Sequence, residues 1–438
     1  MLKRGVSAWG RLAEPLHDWR GLNDLSRVAQ AVQGQSGIAF GNGRSYGDQA
    51  LNPEGILWAT RGLDRFISFD ADTGVLECEC GVLLKDIIDL VLPRGWFVPV
   101  TPGTQYVTVG GAIANDVHGK NHHRYGNFGE HVLSLTLLRT DGTRIECGPQ
   151  LNEPWFRATL GGMGLTGVMT TARLQMRRVP GPWVRSEAQL FNSLQGFVEL
   201  SEASADEWEY TVAWIDCLAT RGDVLKGVFF RGNHAQDSRP MPAARLRRLP
   251  RLPITPPMSL VNSVSLRAFN RLYYLRQKWR AGKPVIQGYA PFFYPLDGLL
   301  EWNRMYGPKG FYQYQCVVPR QAQYEAMKAL LNLIAGDGSG SFLGVLKTFG
   351  ECKAPGLMSF PMPGITLALD FPNHGSSTLR LFQRMDAVVM AAGGRIYPAK
   401  DACMPRSLFE RGYPALQEFR HFRDPGLSSQ MSRRLLGD

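Results

Sequence analysis

Residues 101–123, TPGTQYVTVGGAIANDVHGKNHH, set glycine-rich backbone against three histidines, and residues 41–48, GNGRSYGD, form an earlier loop of similar character. Gly41, Gly43, Gly110 and Gly111 lack a Cβ, so their main chain can take positive φ and bring N–H groups against an anion such as a pyrophosphate. Either loop alone reads equally well as a tight surface turn. The two together point to a bound phosphate-bearing cofactor. His118, His122 and His123 stand at a spacing that invites a metal, but the glutamate of a zincin motif is missing and Gly119 opposes a helix. Cys78 and Cys80 fall two apart on one face of a strand-like run, with no second ligand pair to complete a site. No metal is expected.

These loops must be held by regular elements. From about residue 21 to 178 the chain alternates helix-like stretches, such as LSRVAQAVQ at 25–33, with strand-like ones, such as GIAFG and GILWATR. Asp141-Gly142 between two β-rich runs is a hairpin signal. Gly162, Gly164 and Gly167 fit the spacing G-x-G-x-x-G, which in a dinucleotide site follows a strand and opens a helix. Here WFRATL before it reads as helix and VMTTARLQM after it as strand, so the order is reversed and an NAD site is not expected. A new series of strand and helix patterns starts after Pro180-Gly181-Pro182. The division expected is 1–178, then a second unit from 179 to about 393, with 394–438 set apart as a closing segment by the resemblance described below; the fold class is α+β in two domains.

A chain of 438 residues exceeds what one hydrophobic core usually supports. Its 44% hydrophobic and 20% charged residues are ordinary for a globular protein. No apolar run has the length of a membrane helix and the N-terminus has no signal-peptide core, so a cytoplasmic location is expected, with peripheral attachment to the inner face of the cell membrane as an option. The seven scattered cysteines read as reduced thiols. The net charge of +11 raises nucleic acid, anionic lipid or a phosphorylated substrate as partner. Residues 236–258 mix Pro, Arg and Leu and read as a mobile basic loop. Residues 266–283 place Arg267, Arg271, Arg276, Lys278 and Arg280 among Leu266, Phe269, Leu272, Tyr273 and Trp279. That pattern suits a basic amphipathic helix at a membrane surface, and equally a solvated helix capping the core. No nucleic-acid fold signature accompanies the charge, so nucleic acid is not expected.

The two loops, with FYPLD, EWN, YGP, QYQ and IYPAKD downstream, resemble the flavin oxidases of the vanillyl-alcohol oxidase superfamily, with its PCMH-type FAD-binding fold. Within it they are most similar to the decaprenylphosphoryl-β-D-ribose 2-oxidase family, the flavoprotein subunit of an epimerase. The resemblance runs from about Trp9 to the C-terminus and is weakest between roughly 232 and 285. It implies a flavin domain, an antiparallel-sheet substrate domain, and a last segment that returns to complete the site. It implies FAD wrapped by Ala39, Phe40, Gly41, Asn42, Gly43, Arg44, Ser45, Tyr46, Gly47, Asp48 and Gln49. Gly103, Thr108, Val109, Gly110, Gly111, Asn115, Asp116, Val117 and His118 continue the cradle, with Val168 near the cofactor and Tyr397 near the ring. Many superfamily relatives link the flavin through a histidine where this chain has Arg44, so the FAD is expected to be non-covalent.

By the same resemblance Lys400 is the first candidate for catalysis, as a cation that stabilises the reduced flavin and orients the substrate hydroxyl. Tyr46 and His118 could relay a proton, with the base left open between them. Tyr294, Gln313, Gln315, Lys347 and Lys400 are expected at the substrate, with Ala368 where mycobacterial members carry a cysteine. The implied reaction is oxidation of the 2-hydroxyl of a polyprenylphosphoryl-β-D-ribose to the 2-keto sugar. An NAD-dependent short-chain reductase is implied as the partner that completes epimerisation to the arabinose form. A soluble sugar-alcohol or aldonolactone oxidase, and a non-catalytic flavin-binding membrane protein, are the competing readings.

Overall fold

The computed structural model describes residues 3–220, 222, 224–237, 239, 249–338 and 340–437. Its first sheet has four strands in the order Lys3–Gly5, Leu16–Gly21, Ile56–Ala59, Gly37–Phe40. The last three are parallel neighbours. Parallel pairing needs a crossover, and the turn Leu25–Arg27 with the helix Val28–Val32 lies between Leu16–Gly21 and Gly37–Phe40. The first glycine loop leaves the carboxyl end of Gly37–Phe40, where open α/β sheets present their ligand sites.

The second sheet is antiparallel, in the order Phe66–Phe69, Val75–Glu79, Val168–Gln175, Val132–Leu138, Arg144–Cys147. The hairpin expected at Asp141-Gly142 joins Val132–Leu138 to Arg144–Cys147, with Gly142 at φ +89°. Residues 161–167 leave the helix Glu153–Thr159 and enter the strand Val168–Gln175. That order of helix, turn and strand excludes the dinucleotide fingerprint.

The third sheet has eight antiparallel strands in the order Val285–Gly288, Trp183–Ser193, Val224–Ala235, Tyr210–Ile215, Gly344–Phe349, Gly364–Pro372, Phe311–Pro319, Arg395–Ile396. Strand alternation gives it two chemically different faces. Leu346, Leu367, Leu369 and Phe371 share a buried cluster with Leu330, Ile334, Phe382 and Met385 of the helices Gln323–Asp337 and Ser376–Ala391. Each such side chain contributes roughly 1.5–3 kcal/mol on burial. On the other face Gln313 stands opposite Asp370, Gln315 opposite Ala368 and Lys347 opposite Thr366. The register thereby lines up a polar row.

The helices Arg406–Gly412, Leu416–Arg420 and Gln430–Leu436 add Leu408, Phe409, Phe419 and Leu435 to the cluster that holds Leu57 and Trp58 of the first sheet. The basic helix expected near 266–283 spans Ser263–Arg280, capped by Asn262, whose side chain accepts from Val264 N and Ser265 N. Of the expected loop at 236–258, residues 238 and 240–248 lie outside the described residues; Arg251 further on bridges to Leu300. All seven cysteines are unpaired. Among the described residues no helix is long and apolar enough to cross a membrane.

Candidate active site

The polar face of the large sheet and the two glycine loops enclose a cavity of about 940 Å³, near the top of the roughly 300–1,000 Å³ range of ligand clefts. The loops touch. A Cβ on Gly41 would lie 2.5 Å from Thr108 Oγ1, and Thr108 caps the helix Val109–Ala114 by accepting from Gly111 N at 3.1 Å. Asn42 Nδ2 donates to Tyr106 O at 2.7 Å, and Gln49 Nε2 to Asn115 Oδ1 at 2.6 Å. Gly43 sits at φ +60°, a conformation that favours glycine. Arg44 donates to Asn42 O at 2.8 Å and lies 4.4 Å from the Trp9 ring centroid.

From the first loop, Ala39 to Gly47 and Gln49 line the cavity; so do Gly103, Thr108, Gly110, Gly111, Asn115, Val117, His118 and Tyr397. Asp48, Val109, Asp116, Val168 and Tyr294 stand behind the wall. Val109 and Val168 are fully buried apolar residues. Asp48 accepts from Arg434 at 2.8 and 3.0 Å, tying the loop to the last helix. Asp116 is held at φ +39° and accepts from Asn127 Nδ2 at 2.7 Å, Gly129 N at 2.8 Å and Ser359 Oγ. It ties the end of the second glycine loop, just before His118, to residues 127–129 and to Ser359. Tyr294 hydrogen-bonds Thr101 Oγ1 at 2.7 Å, so it braces a lining residue.

At the inner end the structure brings Tyr46, His118, Gln313, Gln315, Lys347, Ala368 and Lys400 to one cavity. Gln315 Nε2 donates to His118 Nε2 at 3.0 Å, and burial with nearby Lys347 drives the imidazole well below its usual pKa. The ring is therefore neutral near pH 7, and its Nδ1 is buried without a hydrogen-bond partner among the described residues. Lys400 Nζ lies 4.0 Å from the Tyr46 ring centroid. Burial pulls Lys400 down to about 7, opposed by the Asp370 carboxylate and reinforced by Lys347. Lys347 falls to about 8 by burial. Burial raises Tyr46 well above the usual phenol range, so it stays protonated.

Two residues at this end are absent from the sequence expectations. Asp370 accepts from Gln313 Nε2 at 2.7 Å and is raised by burial to about 7. Lys120 Nζ donates to the carbonyls of Phe292 and Phe293 at 2.6 and 3.0 Å, and burial lowers it to about 7. Alternation in LALDFP was a usable signal for Asp370, which shares a strand face with Ala368. Among the described residues no group of three or more His, Cys, Asp or Glu is arranged to hold a metal ion.

The cradle fits a flavin dinucleotide. A Cβ on Gly103 or Gly164, both lining the cavity, would meet no atom within 4 Å, so backbone there faces open space. Residues 21–148 match the FAD binding domain family. The chain is 35% identical over 456 residues to the decaprenylphosphoryl-beta-D-ribose oxidase of Mycolicibacterium smegmatis, covering 98% of this chain and 97% of that one. It is 35% identical to an uncharacterised Streptomyces coelicolor protein, over 81% of this chain and all of that one. Mouse L-gulonolactone oxidase is 30% identical, but over only 31% of the chain. A likeness sustained across flavin cradle, large sheet and closing helices, rather than across the cradle alone, makes this chain a member of the decaprenylphosphoryl-β-D-ribose oxidase family, an FAD-dependent oxidoreductase.

Proposed function

We propose that this protein oxidises the 2-hydroxyl of a polyprenylphosphoryl-β-D-ribose to the 2-keto sugar, the first half of epimerisation to the arabinose form. The observation that carries the reading is the single cavity in which the glycine cradle meets Lys400, His118, Gln313, Gln315 and Lys347, in a chain matched nearly end to end by a decaprenylphosphoryl-ribose oxidase. Residues 1–178 would form the FAD-binding domain and 179–393 the substrate domain, with 394–438 returning to the first. Ala39 to Gly47, Gln49, Gly103, Thr108, Gly110, Gly111, Asn115, Val117, His118 and Tyr397, which line the cavity, would hold the FAD, non-covalently, since an arginine at position 44 cannot form the histidyl bond.

Bound FAD supplies the acceptor for the hydride from the sugar carbinol. The chain's own groups manage the proton. Lys400, neutral in a large fraction near pH 7, takes the hydroxyl proton at Nζ, and the resulting ammonium is stabilised by the Tyr46 ring face and the Asp370 carboxylate. Gln315 fixes the neutral His118 ring in the cavity wall by donating to its Nε2. Gln313, held by Asp370, and Lys347 orient the sugar. The ketone would pass to an NAD-dependent short-chain reductase, and a lipid-linked substrate places the reaction at a membrane surface.

Purified protein should be yellow, and acid should release the colour as free FAD. A prenyl-phosphoribose should bleach the flavin, whereas xylitol and gulonolactone should not. Bleaching by gulonolactone alone would replace this reading with that of a soluble lactone oxidase.

A further inference from the structure

More than half of the large apolar side chains left exposed among the described residues fall between 249 and 286. The helix Ser263–Arg280 carries the densest part. With 3.6 residues per turn, Val264, Ala268, Leu272, Leu275 and Trp279 fall on one stripe. Val264, Leu272 and Trp279 are 76%, 68% and 88% exposed. The opposite side anchors the helix to the large sheet: Leu266 and Asn270 are buried, Asn270 Nδ2 donates to Asp216 Oδ1 at 2.8 Å, and Tyr273 packs 4.8 Å from Trp214. The apolar stripe therefore faces away from the protein.

Its flanks are basic. Arg267, Arg271 and Lys278 border the stripe on one side and Arg276 and Arg280 on the other, all exposed and none ion-paired among the described residues. Residues 238–296 contain eleven arginines and lysines and no aspartate or glutamate, so the whole formal charge of +11 resides in this segment. A second copy of the same face would meet like charge with like. An anionic lipid surface is complementary to both features, since apolar side chains enter the acyl boundary and flanking cations reach the phosphates. Gln277, Arg280 and the following Lys283 also line the active-site cavity, so the helix that carries the stripe leads into a wall of the site.

We propose that the helix Ser263–Arg280 lies flat in an anionic bilayer surface, with Val264, Leu272, Leu275 and Trp279 as its inserted side chains, and holds the cavity against the membrane. The link from docking to catalysis rests on the lipid-phosphate substrate proposed above; the docking surface itself does not.

FAD-loaded full-length protein is sedimented with vesicles of phosphatidylcholine alone, or of phosphatidylcholine and phosphatidylglycerol in equal parts. Binding to the mixed vesicles only, reversed by salt, is expected. The double variant Leu272→Glu, Trp279→Glu should bind them about tenfold or more weakly, while keeping the wild-type FAD content, melting temperature and bleaching rate with a short-chain, water-soluble prenyl-phosphoribose. Equal binding by the double variant, or no wild-type binding, overturns the proposal. So does a wild-type dimer that the variant converts to monomer without vesicle binding. Vesicle binding without bleaching by the short-chain substrate keeps the docking surface and removes the substrate reading; bleaching without vesicle binding does the reverse.

Discussion

Lys400 sits where burial and charge act on the same proton. Its Nζ is pulled down to about 7 by desolvation and pushed back up by Asp370, itself raised to about 7. The two titrate as a pair. Replacing the amine while keeping the stem, Lys400→Met, should slow flavin bleaching about 10²- to 10³-fold, the cost of losing one preorganised polar group, with FAD content unchanged; rapid mixing reads this directly. For pH, the neutral amine accepts the proton, so the bleaching rate should rise with pH through about 7. Asp370 stabilises the ammonium form, so in Asp370→Asn that form is lost sooner and the rising limb should move to lower pH. A limb left in place, with only its height reduced, would assign Asp370 a packing role. The residues that announced themselves in sequence were those whose chemistry is carried by a local motif, the glycine loops and YPAKD. Asp370 carries no such motif, and Lys120, though inside the second loop, is neither a glycine nor a histidine of it. Asp370 becomes a partner of Gln313 through pairing 57 residues apart, and Lys120 is fixed by carbonyls 172 and 173 residues away.

At the scale of elements, the first glycine loop is clamped from both sides. A Cβ on Gly47 would lie 1.8 Å from the Asp401 carbonyl oxygen, and Tyr46 N donates to Ala399 O at 3.0 Å. Backbone meets backbone here, so no flexible side chain can give way. Gly47→Ala should therefore force the loop off the segment that carries Lys400, costing about 1–3 kcal/mol as overpacking does and loosening FAD. Denaturant unfolding and FAD retained on gel filtration check it, and wild-type values for both would mean the loop relocates freely. Legibility followed range. The hairpin at Asp141-Gly142, the helix before the 161–167 turn and the strand after it are set by neighbours in sequence, and they form as the sequence indicates. The order of the eight-stranded sheet is not local, since Gly344–Phe349 pairs with Tyr210–Ile215 on one side and Gly364–Pro372 on the other. No turn residue encodes that choice.

At the scale of the whole molecule, the apolar core does not divide where the chain does. One buried cluster holds Leu57 and Trp58 of the parallel sheet, Leu330 and Leu367 behind the large sheet, and Phe409 and Leu435 of the closing helices. The cavity, by contrast, is walled by both sets of elements. A continuous core predicts that the lobes unfold together, and a ligand that spans their shared cavity stabilises that joint state by mass action. Calorimetry on the FAD-stripped protein should therefore show one transition, not two. Added FAD should move it upward as a single peak, by about 2.7 kcal/mol at a hundred times the dissociation constant and about 4 at a thousand times. If the stripped protein instead melts in two steps, of which FAD raises only the one containing residues 21–148, then the cofactor reports on the cradle alone and the shared core contributes no cooperativity between the lobes.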